Sequence, residues 1–131
     1  MKVVYFSVTG QTRRFASKIS SCETLEIDPS AGTLMKEPYV LVVPTYEEEF
    51  ITPVFDFLET GENQEFLAGV SGSGNRNFAE LFVFSARDIA RRYGVPLIYA
   101  FEFSGTKEDV ENFEEEVRKL ERKTTMVRAQ Q

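Results

Sequence analysis

The sequence contains no histidine and no tryptophan, and its one cysteine is Cys22. Without histidine a Ser-His-Asp triad is impossible. With a single cysteine besides, the usual zinc ligands are missing, so no metal site is expected. One cysteine allows no internal disulfide, which fits a reducing cytoplasm. The neighbours of Cys22 bring no activating group to it, and it reads as structural. No apolar run approaches the length of a membrane span, and the first residues lack a signal-peptide pattern. Positive charge is also short, with 15 Lys and Arg against 21 Asp and Glu. The resulting net charge of −6 argues against nucleic acid as a partner, because phosphate backbones need a basic surface. A basic protein surface is the more natural complement.

What remains is an ordinary globular composition in 131 residues, enough for one domain with a real core. The expected domain covers residues 1–123, and 124–131 reads as a flexible C-terminal tail. Apolar runs at 2–6, 24–27, 39–43, 66–74 and 96–103 read as strands. Helical spacing fits residues 11–20, a segment opening with Thr52 as N-cap and Pro53 as its first residue, residues 78–93, and a last helix. In 78–93, Phe78, Leu81, Phe82, Ile89, Ala90 and Tyr93 share one face, and Gly94 and Pro96 stop it. The last helix starts at a capping-box-like Thr106 and Asp109 and turns Val110, Phe113, Val117 and Leu120 inward. Its acids come early and its bases late, as a helix dipole prefers. Strand-helix alternation gives an α/β fold: a five-stranded parallel sheet, order 2-1-3-4-5, with helices on both faces in three layers.

In such sheets a ligand sits beyond the carboxyl ends of the strands. Three loops meet there. The first, Ser7-Val8-Thr9-Gly10-Gln11-Thr12, holds three hydroxyls and a glycine ahead of a helix, with no cation before Arg13. It suits a phosphate that stays in place as part of a cofactor, and it lacks the Gly-Lys-Ser/Thr of a nucleotide-transfer loop. The third loop carries Gly72 and Gly74, which let a backbone approach a flat ligand, the amides of Asn75 and Asn77, and the ring of Phe78. The second adds Tyr46 beside the acidic run Glu47, Glu48 and Glu49.

Taken together, the SxTGxT loop and the α/β order resemble the flavodoxins, which bind FMN at this position of the sheet. The segments GSGNRNFAELF (72–82), YGVPLIY (93–99) and FEFSGTKEDV (101–110) narrow the resemblance to the NrdI family. The likeness runs from Val3 to about Leu120. These are flavodoxin-like partners of class Ib ribonucleotide reductase. The resemblance implies a flavodoxin-like FMN-binding domain whose reduced flavin converts dioxygen to superoxide. The oxidant passes to the radical subunit, NrdF, where it helps assemble a radical cofactor. A separate reductase supplies the electrons. Such a protein is a redox-active activator and not a stand-alone enzyme, and its chemistry is carried by FMN.

By the same resemblance, Ser7, Thr9, Gly10, Gln11 and Thr12 hold the phosphate. Thr45, Tyr46 and Glu47 lie along the isoalloxazine, and Gly74, Asn75, Asn77 and Phe78 contact it from the third loop. Ser104 and Gly105 shape the rim. One departure stands out: the family commonly has glycines where this chain has Glu47 to Glu49. A peptide flip on flavin reduction is costlier at glutamate. The carboxylates also disfavour an anionic reduced flavin, by on the order of 80 to 90 mV each at about 8 Å before solvent screening.

A response regulator is excluded because Tyr5-Phe6-Ser7 and Val43-Pro44-Thr45 stand where its acids belong. A low-molecular-weight tyrosine phosphatase is excluded because Cys22 follows the first helix. A general electron-transfer flavodoxin and a flavin-free interaction module stay open. Val83 and Phe84 lie off the core face of the 78–93 helix, as either partner contacts or core.

Overall fold

Five runs assemble into one sheet, each paired in parallel with its neighbours, and the runs at Lys2–Tyr5, Tyr39–Val43 and Leu97–Glu102 are rich in β-branched and aromatic residues. The computed structural model describes residues 1–129, and side chains as far as Thr125. In chain order the strands and helices are β1 (Lys2–Tyr5), α1 (Gln11–Ser17), β2 (Thr24–Glu26), β3 (Tyr39–Val43), α2 (Thr52–Glu59), β4 (Leu67–Gly74), α3 (Phe84–Tyr93), β5 (Leu97–Glu102) and α4 (Lys107–Ala129). The sheet order is β2-β1-β3-β4-β5, as the alternation of elements predicts.

The central strand β3 is buried at every position. Its alternate side chains feed two cores. Val40 and Val42 join Phe15 of α1 and Ile19 just beyond it with Val110, Phe113 and Val117 of α4. Leu41 and Val43 join Val54 and Leu58 of α2 with Ala86 and Ile89 of α3. Helices α1 and α4 therefore cover one face and α2 and α3 the other. Phe15 stacks on Phe101 at 3.9 Å and meets Phe113 edge-on at 5.3 Å.

The capping signals hold with small shifts. At α4 the Thr106 N–H donates to Asp109 Oδ2 at 2.8 Å, and the Asp109 N–H donates to Thr106 Oγ1 at 3.1 Å. The Tyr99 hydroxyl also donates to Asp109, at 2.6 Å. Partial burial works against the Asp109 carboxylate, yet these donors hold its pKa below the ordinary value. Gly94, at φ 68°, ends α3 in the left-handed conformation. Thr52 is one residue further in than expected. It opens α2 behind Ile51, and its hydroxyl donates to the Glu49 carbonyl at 3.2 Å.

Three segments differ from the sequence expectation. The 78–93 helix is two pieces: a 3-10 segment Arg76–Leu81, kinked at Ala79, and then α3, which is entered through Val83; both residues take positive φ. Phe78 and Leu81 are exposed and off the core, although their spacing mimics a buried helical face. Gly72 and Gly74 belong to β4 and not to a loop. A Cβ on Gly72 would sit 2.5 Å from the Ala86 Cβ, and one on Gly74 3.1 Å from both Thr45 Oγ1 and the Val83 nitrogen. These glycines let α3 and the second loop press against the sheet, a packing role that the sequence does not reveal, and Gly74 also reaches the candidate cavity. Gly72→Ala is thus expected to lower stability by about 2 kcal/mol, as overpacking does, read as a lower denaturant midpoint. Finally, α4 continues to Ala129, well past the last inward residue Leu120. Residues 130–131 of the expected tail lie outside the described residues.

Candidate functional site

The carboxyl ends of β1, β3 and β4 open on a cavity of about 550 Å³. Val8, Thr9, Gln11 and Thr12 line it from the first loop, and Pro44, Thr45 and Tyr46 from the second. Ser73, Gly74, Asn75, Phe78, Leu81 and Phe84 line it between β4 and α3, and Phe103 closes it after β5. No lining residue carries a charge.

Ser7 does not line the cavity; it builds the loop. Its Oγ accepts the Gly10 N–H at 3.0 Å and the Arg13 N–H at 3.3 Å. Gly10, also outside the lining, takes φ 93° to cap α1, a conformation that glycine adopts without strain. The first N–H groups of α1 have no acceptor within the helix, so the amides of Gln11 and Thr12 are free donors beside the hydroxyls of Thr9 and Thr12. The cation nearby is already engaged. Arg13 grips Glu26 in a two-point contact of 2.6 and 2.9 Å, which holds the Glu26 carboxyl below its ordinary pKa. An anion at this loop therefore meets neutral donors.

The second loop is fixed from two sides. Thr45 Oγ1 donates to the Ser73 carbonyl at 2.6 Å. Ser85, buried on the first turn of α3, accepts the Tyr46 N–H at 3.0 Å and donates to the Tyr46 carbonyl at 2.8 Å. Ser85 has no motif to betray it, since its partner lies 39 residues away. Ser85→Ala removes both contacts, so stability is expected to fall by about 1–2 kcal/mol, and ligand affinity by a few-fold as Tyr46 loosens, read by denaturation and titration. Beyond Tyr46 the chain leaves the cavity. Glu47 is exposed at φ −59°, ψ 149°, an ordinary extended conformation. Glu48 pairs with Arg92 at 2.9 Å, and Arg92 also holds Asp88 and covers the Phe55 ring.

In the third loop, Asn75 accepts the Asn77 N–H at 2.9 Å. Asn75 and Phe78 face the cavity, whereas the exposed Asn77 is not part of its lining. Arg76 reaches back to Glu102 at 3.3 Å and lies 4.5 Å over the Phe82 ring, tying this loop to the end of β5. Val83 is 2% exposed, so the partner-contact reading of that residue is corrected to core. Phe84 is half-buried and lines the cavity. Thr9, Gln11, Thr12, Thr45, Tyr46, Gly74, Asn75 and Phe78 come together in the lining as the sequence suggests. Val8, Pro44, Ser73, Leu81, Phe84 and Phe103 join them, although the sequence alone does not assign them to the site. Ser104 and Gly105 line a neighbouring cavity.

The geometry is that of a slot with aromatic walls, Tyr46, Phe78, Phe84 and Phe103, ending in a nest of hydroxyls and amides. A planar ring bearing a short anionic tail matches both parts. The overall architecture matches solved flavodoxins. A short-chain flavodoxin associated with a bacterial microcompartment superimposes with a TM-score of 0.65 at 19% identity, covering 93% of this chain and 96% of its own. A flavodoxin of Streptococcus pneumonia superimposes with a TM-score of 0.62 at 23% identity, over 93% and 97%. The sequence comparisons go further. Protein NrdI of Bartonella tribocorum is 45% identical over 116 residues, which covers 82% of this chain and 86% of the relative. Protein NrdI of Wigglesworthia glossinidia brevipalpis is 35% identical over 136 residues, 98% and 96% of the two chains. With the family model described as NrdI flavodoxin-like matching residues 3–115, the chain belongs to the NrdI flavodoxin-like family.

Proposed function

We propose that the cavity binds FMN and that the chain activates class Ib ribonucleotide reductase in the cytoplasm. When FMN is bound and has been reduced by a separate flavin reductase, it supplies one electron to dioxygen, giving superoxide for radical-cofactor assembly in the subunit NrdF. The observation that carries this reading is the slot itself, aromatic along its walls and lined at one end by uncharged anion donors. Thr9 and Thr12 offer hydroxyls, and Gln11 and Thr12 offer N–H groups, to the phosphate. Ser7 and Gly10 hold the shape of that loop. Tyr46 and Phe78 provide faces for the ring, while Thr45, Gly74 and Asn75 supply polar and backbone groups along its edge. The absence of charge in the lining suits a cofactor that stays bound.

The acidic run tunes the site from outside it. Glu48 is matched by Arg92, so its field is that of a dipole. Glu47 and Glu49 are exposed. A Glu47→Gln, Glu49→Gln variant is expected to raise the flavin reduction potential by roughly tens of millivolts, since each removes a charge that disfavours electron gain. Glu48→Gln is expected to move it less. Potentials unchanged in the double variant would remove this role and leave the run as a docking feature.

The test of the whole reading is the visible spectrum of the purified protein through anaerobic reduction and admission of air, with a superoxide trap present. A flavin band that bleaches and returns with trapped superoxide supports an oxidant-generating activator. Slow reoxidation, with preference for a protein acceptor, would instead indicate a general electron-transfer flavodoxin. A protein that binds no added FMN would overturn the reading.

A further inference from the structure

Three non-glycine residues take left-handed backbone among the described residues: Ala79 at φ 49°, Val83 at φ 50° and Phe103 at φ 54°. All three stand in, or one residue from, the wall of the same cavity. Such conformations are strained and persist where the surroundings impose them. Val83 is repaid by burial in the core. Phe103 is not: the residue is 48% exposed, so packing in the folded chain does not explain why a bulky aromatic occupies a glycine-like position. The backbone there is pinned by the Phe103 N–H, which donates to the Gly74 carbonyl at 3.2 Å. Phe103 also lines two adjoining cavities. On one side is the slot described above, and on the other a polar cavity of about 450 Å³ that includes Arg76, Glu102 and Asp109.

We infer that Phe103 is a positioning residue for the flavin ring, serving as the partition between the ring's compartment and the charged cavity beside it. The inference rests on the FMN reading. The left-handed backbone turns the chain sharply after β5 and brings the side chain to the shared wall. An aromatic wall there offers the ring an apolar contact and keeps the groups and water of the second cavity off it, which preserves a low-dielectric surrounding. The strain is stored in the free chain and offset only when the slot is filled. Neither Ser104 nor Gly105 performs this task, since both line only the polar cavity.

The test compares wild type, Phe103→Gly, Phe103→Leu and Phe103→Tyr, with FMN and riboflavin as probes. Glycine relieves the backbone strain and removes the partition. The flavin-free Phe103→Gly protein is expected to melt at the same temperature as wild type or higher, while FMN and riboflavin affinities both fall about tenfold, the scale of one aromatic contact. The fine structure of the bound flavin's visible band is expected to blur as water reaches the ring. Phe103→Leu, which keeps an apolar side chain, is expected to show the same affinity and spectral changes in weaker form, and Phe103→Tyr to restore wild-type values. Unchanged affinity and spectrum in the Gly and Leu variants, with wild type binding FMN, would overturn the partition role alone. A lower melting temperature in both with no loss of affinity would show that Phe103 is structural. If wild type binds no flavin, this inference fails together with the reading beneath it.

Discussion

A Thr9→Ala, Thr12→Val variant is expected to lose FMN affinity by about a hundredfold or more and to bind riboflavin as wild type does. Both side chains line the slot at the end where the N–H groups of α1 begin. A hydrogen bond to a charged group is worth about 1.5–3 kcal/mol. Losing two such bonds removes about 3 kcal/mol or more, and each 1.4 kcal/mol is about a tenfold change in affinity. No cation among the lining residues makes up the loss, and Arg13 is occupied by Glu26. Thr12 is almost fully buried, and valine preserves its shape, so the fold is expected to survive. Riboflavin lacks the phosphate and so acts as the internal control. Titration of both ligands into both proteins decides the matter. Equal losses for the two ligands would mean that the hydroxyls touch the ring or shape the slot, and that the phosphate lies elsewhere.

The largest effect on stability is expected at a residue remote from the site. Asn63 is completely buried, and its side chain serves three backbone groups. Its Oδ1 accepts the Met35 N–H at 2.7 Å, and its Nδ2 donates to the carbonyls of Thr33 at 2.9 Å and Phe57 at 2.8 Å. One amide thereby ties the segment before β3 to α2. The Tyr39 hydroxyl adds a bond to the Asn63 carbonyl at 2.8 Å. Asn63→Ala removes three bonds, strands their partners away from water and leaves a cavity. The expected loss is about 3–4 kcal/mol, or roughly 10 °C in Tm for a chain of this size. Tyr39→Phe, which costs one bond, is expected to lose about 1 kcal/mol. A loss in Asn63→Ala no larger than that in Tyr39→Phe would show that the segment before β3 is not held by this network. Calorimetry or chemical denaturation of the two variants distinguishes the cases.

The strands, their order and the position of the slot are legible from the sequence because they rest on local signals. A fully apolar run such as Tyr39–Val43 has few uses other than a central parallel strand. The hydroxyl-rich loop opening α1 is similarly local. The misreadings share a cause: a local pattern with two physical explanations. Phe78, Leu81 and Phe82 match a buried helical face by spacing, yet the first two line the slot, and the chain reaches α3 through two residues at positive φ that spacing does not reveal. Gly72 and Gly74 look like a loop but belong to β4, where Ala86, Val83 and Thr45 crowd the strand. Residues acting over long separations left no signal at all. Ser85 clamps Tyr46, and Asn63 clamps Met35, only once the chain has folded. Phe103 is hidden for another reason: its importance lies in its backbone angle and in the two cavities it divides.

The most direct measurement is the tyrosyl radical yield of the class Ib radical subunit, followed by paramagnetic resonance. The metal-loaded subunit is mixed with this protein, FMN-bound and reduced under anaerobic conditions, and dioxygen is then admitted. The expected result is a radical signal well above that from dioxygen alone, lost when the Thr9→Ala, Thr12→Val variant is supplied at FMN concentrations that fill only the wild-type slot. A yield equal to that from dioxygen alone, with the slot demonstrably filled by reduced FMN, would contradict the proposed role in activating the reductase.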